Sequence, residues 1–343
     1  RDEPYRLHHF GIGNETWGAG GFMSPQYYCD RYKHWSTMAR VPWDVPTNFV
    51  ASGGHGEGDK DVTRWTEYLT THIEPNFLLK CDAVSFHFYT HPKGSVWEGK
   101  GSATGFPETE WISTLQATLK MDDYLAANTA ILKRNDPDNH VAFYVDEWGT
   151  WYDVEEGTNP GFLQQQNSLR DALVAALNFN IFHKYAERVQ MTNIAQMVNV
   201  LQAMILTEGD RMLLTPTYHA FNMYVPFHGA TTLALELSDV PRFELGECSI
   251  PTVSATAARG LDGKIYLALV NSDPGQAATV SAAMSGIDVT GVTGQMLTAD
   301  AMDAHNTFDA PDTIAPRPWS ASAESGVLQL EIPAKSVIVV HVH

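Results

Sequence analysis

The stretch HVAFYVDEWGTWY, residues 140–152, decides how this chain is read. Its first half is an unbroken apolar run, too short for a buried helix and apolar on both faces, as a strand inside a parallel sheet is. The run stops on Asp146 and Glu147, and Trp148 and Trp151 follow. A second run ends the same way upstream. HHFGIGNETWGAGG, residues 8–21, closes on Asn14 and Glu15 before Trp17 and three glycines.

Working outward, apolar runs at 7–14, 47–54, 81–90, 140–147 and 189–197 alternate with helical patterns at 24–40, 61–79, 109–134 and 164–185. Strand and helix in alternation, with continuous apolar strands, predict a parallel sheet covered by helices. A further helix is expected over 215–227, where Thr215 can cap and Pro216 takes the first helical position. The Gly-rich stretch 94–105 reads as an inserted, mobile segment. After about residue 229 the texture changes to short alternating segments rich in Thr and Val, separated by DG, DPG and SG turns. That pattern predicts an antiparallel β-sandwich. The expected organisation is therefore an α/β domain over 1–228 and an all-β sandwich over 229–343.

The 343 residues carry a formal charge of −18, with 44% hydrophobic and 11% aromatic residues. Such a balance speaks against a nucleic-acid partner or an anionic membrane surface. No apolar run is long enough to span a bilayer. Three widely spaced cysteines, Cys29, Cys81 and Cys248, suit buried thiols in a reducing compartment better than a disulfide framework, which favours the cytoplasm over secretion.

In a (β/α)₈ barrel, residues at the C-terminal ends of strands converge on the site. Glu15 and Glu147 each end a predicted strand beside tryptophan, and two carboxylates with flat apolar neighbours suit sugar chemistry. A lone strand-end Glu is more often a cap or an ion-pair partner, and spacing does not prove that these two meet. His87 and His91 lie four apart at a strand end rather than on a helix, and no Cys/His cluster has structural-zinc spacing, so no metal and no cofactor is expected. His87 reads instead as a pocket residue. The GAGG at 18–21 lacks the strand–GxGxxG–helix setting of a dinucleotide site.

GIGNETWGAGGFMSPQYYCDRY (11–32), CDAVSFHFYT (81–90), YVDEWGTWYDVEEGTNPGFLQQQNSLRDALVAAL (144–177) and NIAQMVNVLQAMILTEGDRMLLTPTYHAFNMY (193–224) together resemble glycoside hydrolase family 51, the α-L-arabinofuranosidases. The likeness runs from about residue 5 to 230 and resumes at the closing IPAKSVIVV. The resemblance implies a (β/α)₈ TIM barrel with an appended β-sandwich, the five runs counting as strands four to eight. It implies Glu15 as acid/base and Glu147 as nucleophile of a retaining, exo-acting enzyme on arabinan, arabinoxylan or their oligosaccharides. An endo-glucanase, a xylosidase and a non-catalytic carbohydrate-binding chain are the rival readings.

The resemblance also favours Tyr89 as a donor to the nucleophile, where the residue alone could be a rim aromatic. Asn14 would bond the hydroxyl next to the anomeric carbon, or else simply end its strand. Trp151 would wall the pocket, or else pack in the core. Gln202 resembles a contact to the furanose hydroxyls, though by sequence alone it would sit on a solvated helix. Where many members carry Asn after the nucleophile's Trp, this chain has Gly149, which bears on a leaving-group contact and not on the chemistry. Strands four to eight alone leave a barrel open, so an upstream half is expected to complete it, as a separate chain or as sequence outside this one. A homo-oligomer is expected from the family.

Overall fold

The computed structural model describes residues 5–39, 45–56, 62–93 and 99–343. Residues 94–98 of the expected insertion, and the ends at 40 and 61 of two expected helices, lie outside the described residues. The chain divides into two compact units. The first comprises Arg1–Tyr89, Met121–Trp148 and Tyr185–Asn193, the second Thr90–Lys120, Gly149–Lys184 and Ile194–His343.

The first unit is built on a sheet whose strands β1 (His9–Ile12), β2 (Asn48–Ala51), β3 (Ala83–Thr90), β4 (Ala142–Thr150) and β5 (Val189–Ile194) lie side by side in chain order. The first two pairings are parallel, with Ile12 opposite Ala51 and Ala51 opposite Val84. Every one of the five apolar runs is thus a strand. On one face Val50, Ala83, Ala142 and Tyr144 pack with Met191. The buried Phe86 ring packs against Phe143 at 5.6 Å and against Tyr124 at 5.9 Å.

Helix α1 (Pro25–Met38) starts where Ser24 accepts a hydrogen bond from the Tyr27 amide and proline occupies the first turn. Helix α2 (Arg64–His72) stops well short of the expected residue 79. The reason is local: Ile73 and Glu74 run into Pro75, and a residue before proline is driven out of the helical region. Helix α3 (Glu108–Asn135) matches its expected span to within a residue at each end.

In the second unit, α4 (Leu169–Lys184) and α5 (Pro216–Tyr224) pack through Phe179 against Phe221 and Tyr224. Between these helices in sequence lies a small hairpin of β6 (Ile205–Glu208) and β7 (Arg211–Leu214). The all-β part begins with β8 (Thr231–Thr232), a hairpin of β9 (Arg242–Leu245) with β10 (Cys248–Pro251), β11 (Val253–Arg259) and β12 (Ile265–Asn271). It continues with β13 (Ala278–Ala283), β14 (Gly291–Leu297), β15 (Arg317–Glu324), β16 (Val327–Ile332) and β17 (Ser336–Val342).

Eight of these strands form one antiparallel sheet, ordered β13-β16-β15-β14-β17-β12-β11-β8. It curls around a single core that includes Val253, Leu267, Val292, Leu330 and Ile338. Ladder bonding continues through all eight strands. Strand β15 makes this possible, pairing with β14 over Arg317–Ser322 and with β16 at Ala323 and Glu324.

Helix α4 packs on β11, β12 and β17, and α5 on β14 and β17, so both helices belong with the all-β part. Among the described residues, no helix is long and apolar enough to cross a membrane. All three cysteines are free thiols, with Cys29 and Cys81 buried.

Candidate active site

The site starts from how the chain leaves β1. The Tyr28 phenol donates to the Ile12 carbonyl and accepts the Ser52 amide, stitching the ends of β1 and β2 together. Thr16 adds a hydroxyl bond to Ser52. Between these anchors the chain turns sharply: the Glu15 carbonyl takes both the Gly18 and Gly20 amides. Glu15 itself sits at φ 44, a left-handed conformation that costs a non-glycine residue about 1 kcal/mol or more and is concentrated at functional sites. The turn closes so tightly that a Cβ on Gly20 would stand 1.8 Å from the Asn14 carbonyl oxygen.

Glu147 comes from β4 and His87 from β3. The His87 Nδ1 lies 3.0 Å from Glu15 Oε1 and 3.3 Å from Glu147 Oε2, while Nε2 lies 3.3 Å from Asp146 Oδ1. The Tyr89 hydroxyl donates to Glu147 Oε1 at 2.6 Å. His87 is 7% exposed, whereas the three carboxylates remain 27 to 31% exposed, so a solute can reach them. Burial works against a charge on His87, but the carboxylates of Asp146, Glu15 and Glu147 outweigh it and raise the imidazole pKa to about 9. At neutral pH the ring therefore carries its proton and faces the acidic side chains of Glu15, Asp146 and Glu147.

Glu15, His87, Tyr89 and Glu147 are therefore brought together within one unit, and Asn14 lies exposed beside them in the chain. Asp146 is the residue that sequence reasoning undervalued. It read as company for Glu147, and nothing in the sequence places its carboxylate against the far nitrogen of His87. Glu15, His87 and Glu147 offer ligand atoms within 4.8 Å of one another, a trio that Cys/His spacing did not anticipate. With a proton held on His87, Nδ1 acts as a donor, and a metal would have to displace it.

Trp151 and Gln202 lie in the second unit. Trp151 is half-buried, with the Lys100 ammonium 5.6 Å from its ring centroid and its carbonyl accepting from His91 Nδ1. Gln202 corrects both of its readings, since it is neither helical nor solvated. It is fully buried; its Oε1 accepts the Thr150 amide, and its Nε2 donates to the Asp171 carbonyl and the Thr217 hydroxyl. With both amide hydrogens committed, it props the end of β4 and has none to give a sugar. Gln196, two residues past β5, is exposed instead. Gly149 is also explained: it sits at φ 147, and a Cβ there would press on Gln202 at 3.3 Å, so the family's usual Asn would be strained.

Two carboxylates, one in the turn after β1 and one on β4, bridged by an imidazolium and reached by a phenol, form a site suited to acid–base and nucleophilic work on a glycoside. Comparison with known proteins agrees. Residues 146–336 match the family model described as the α-L-arabinofuranosidase C-terminal domain. The chain is 38% identical over 340 residues to an intracellular exo-α-L-arabinofuranosidase of Bacteroides ovatus, covering 98% of this chain and 64% of that protein. Its structure superposes on the family 51 arabinofuranosidase of Xanthomonas axonopodis pv. citri with a TM-score of 0.94, at 44% identity, over 100% of this chain and 68% of that one. The α-L-arabinofuranosidase of Thermotoga maritima, solved with arabinose, shares the fold at a TM-score of 0.78 and 21% identity. The chain belongs to the α-L-arabinofuranosidases of glycoside hydrolase family 51. It spans just under two thirds of the Bacteroides relative's length.

Proposed function

We propose that the protein acts as a retaining, exo-acting α-L-arabinofuranosidase, releasing terminal arabinofuranosyl groups from arabinan, arabinoxylan or derived oligosaccharides. The observation that carries this reading is the carboxylate pair: oxygens of Glu15 and Glu147 lie within 4.8 Å of each other. Retention needs the two groups about 5–5.5 Å apart, whereas inversion needs about 6.5–9.5 Å to admit a water.

In the first step the Glu147 carboxylate attacks the anomeric carbon while Glu15 gives a proton to the departing glycosidic oxygen. The hydrogen bond from Tyr89 holds the nucleophile's free oxygen aside and aims the other. The His87–Glu15 contact of 3.0 Å keeps a proton at hand for the leaving group. Once Glu147 is esterified its charge is gone. Glu15 then takes a proton from water, and the water oxygen displaces Glu147 with overall retention. Asn14 bonds the hydroxyl beside the anomeric carbon. The sheet supplies strands four to eight of a (β/α)₈ barrel that an upstream half completes.

The test is turnover of aryl α-L-arabinofuranoside beside aryl β-xyloside and β-glucoside, with the first-formed anomer followed by NMR. Arabinoside cleavage with the α-anomer appearing first is expected. Preference for either β-glycoside, or first formation of the β-anomer, overturns the proposal.

A further inference from the structure

Asp82 and Asp136 precede β3 and β4, and both are tied to the backbone. Asp82 accepts the Phe49 amide at 2.7 Å, and Asp136 accepts the Val141 amide and the Arg188 guanidinium. Asp146, inside β4, is held differently: its Oδ1 is buried and has no hydrogen-bond partner. A buried carboxylate oxygen is costly unless an opposite charge balances it. The imidazole of His87 supplies that balance, with Nε2 3.3 Å away.

Successive side chains of a strand project to opposite faces, yet Asp146 and Glu147 both reach this one ring. Glu147 Oε2 lies 3.3 Å from Nδ1 and Asp146 Oδ1 lies 3.3 Å from Nε2, so the imidazole spans the two. From the turn after β1, Glu15 Oε1 meets the same Nδ1 at 3.0 Å. The other titratable neighbours are Tyr89 on β3, whose hydroxyl donates to Glu147, and His55 beyond β2, whose backbone pairs with that of His87.

An imidazole nitrogen either donates a proton or accepts one, and the contact made by one nitrogen fixes the state of the other. With the Asp146 charge against Nε2, both nitrogens hold protons and Nδ1 can only donate. In a neutral ring with its proton on Nε2, Nδ1 would offer a lone pair 3.0 Å from Glu15. That lone pair would take the proton which Glu15 owes the glycosidic oxygen. We infer that Asp146 is a positioning residue acting through His87: its carboxylate keeps Nδ1 a donor, so that the proton of Glu15 goes to the leaving group and not to the ring. The inference rests on the role proposed for Glu15. The raised pKa of His87, to which Asp146 contributes against the effect of burial, agrees with it. The need is greatest for a poor leaving group, because an activated one departs with little protonation.

The test uses the natural full-length polypeptide, its Asp146→Asn variant, which keeps the shape without the charge, and Asp146→Glu, which keeps the charge. On α-linked arabinobiose, the alkaline limb of kcat/KM should move down by at least about one pH unit in Asp146→Asn, the scale of losing one nearby opposite charge. Asp146→Glu should recover most of that shift. A nitrophenyl arabinoside should lose less activity at pH 8 than arabinobiose does. In the wild type, nitrogen NMR at pH 7 should find a proton on both ring nitrogens of His87, a reading that needs no variant to fold. An alkaline limb that stays in place in Asp146→Asn, equal losses at pH 6 and pH 8, or a bare Nδ1 in the wild type overturns the role of Asp146 and leaves the reaction intact. A wild-type polypeptide that does not cleave arabinobiose overturns the proposed function, and this inference with it.

Discussion

Two polar clusters in this molecule use similar side chains to opposite ends. In the first unit, Glu15, Asp146 and Glu147 surround His87 and stay more than a quarter exposed. In the second unit, Asp171, Gln202, Gln165 and Thr150 are buried and satisfy one another. Thr150 donates its hydroxyl to Asp171 Oδ1 at 2.6 Å, Gln165 bonds Thr150 and the Tyr152 amide, and Ser168 donates its amide to Asp171 Oδ2. A buried polar group is costly unless paired, so the second cluster is a closed lattice whose purpose is shape. The first keeps charge and lone pairs in reach of solvent, which stability alone does not require. The difference separates a working site from a scaffold more sharply than residue type does.

The largest expected effect breaks the open cluster. Glu147→Gly should cut turnover by on the order of 10⁴-fold or more, the scale seen when a covalent nucleophile is removed. Azide should then restore part of the activity on an activated aryl arabinoside and yield the inverted glycosyl azide. Ordinary retention by this variant would contradict the nucleophile assignment.

Next in size is damage to the closed lattice. Gln202→Ala strands the Thr150 amide and leaves a cavity, so unfolding free energy should fall by about 3 kcal/mol. Denaturant melts measure this, and an unchanged midpoint would show that Gln202 does not brace the fold. The shape of the activity–pH profile should stay that of the wild type.

The smallest effect is a titration. His87 should titrate near pH 9 by NMR, and Asp146→Asn combined with Glu15→Gln should bring the midpoint down toward 6.5. Because the folded value is the higher one, stabilisation from this proton is complete below about 6.5 and is lost as pH rises through about 9. A wild-type midpoint at or below 6.5 would mean that the carboxylates do not outweigh burial.

Much of the open cluster was legible in the sequence, because polar side chains at strand ends interrupt an apolar period visibly. Glu15 and Glu147 each stop such a run, and Tyr89 and His87 alternate at the end of a third. The closed lattice was not legible. Gln202 sits in NVLQAM, whose apolar residues resemble a helix, yet the segment runs through bends because its amide is spent on the end of β4. Helix α4 begins at Leu169 rather than 164 for a related reason, since Gln165 and Ser168 are engaged in side-chain bonds that a helical start would break. Long-range satisfaction of polar groups leaves no periodic trace in the sequence. The left-handed backbone at Glu15 was equally hidden, being imposed by a turn rather than by the residue that bears it.

That turn shapes how the protein tolerates change. The carboxylate of Glu15 is aimed by main-chain geometry, and Gly20 has no room for even a methyl group beside the Asn14 carbonyl. A single codon change at Gly20 would swing the Glu15 carboxylate away from His87 while the side chains of Glu147, His87 and Tyr89 stayed in place. On the role proposed for Glu15, inactivating variation should gather at this glycine as well as at the glutamate. By the same reasoning, an engineer who grafts only the glutamate onto another barrel inherits an idle carboxylate. The heritable unit is the whole bracket from Gly13 to Met23, together with the serine and tyrosine that pin it.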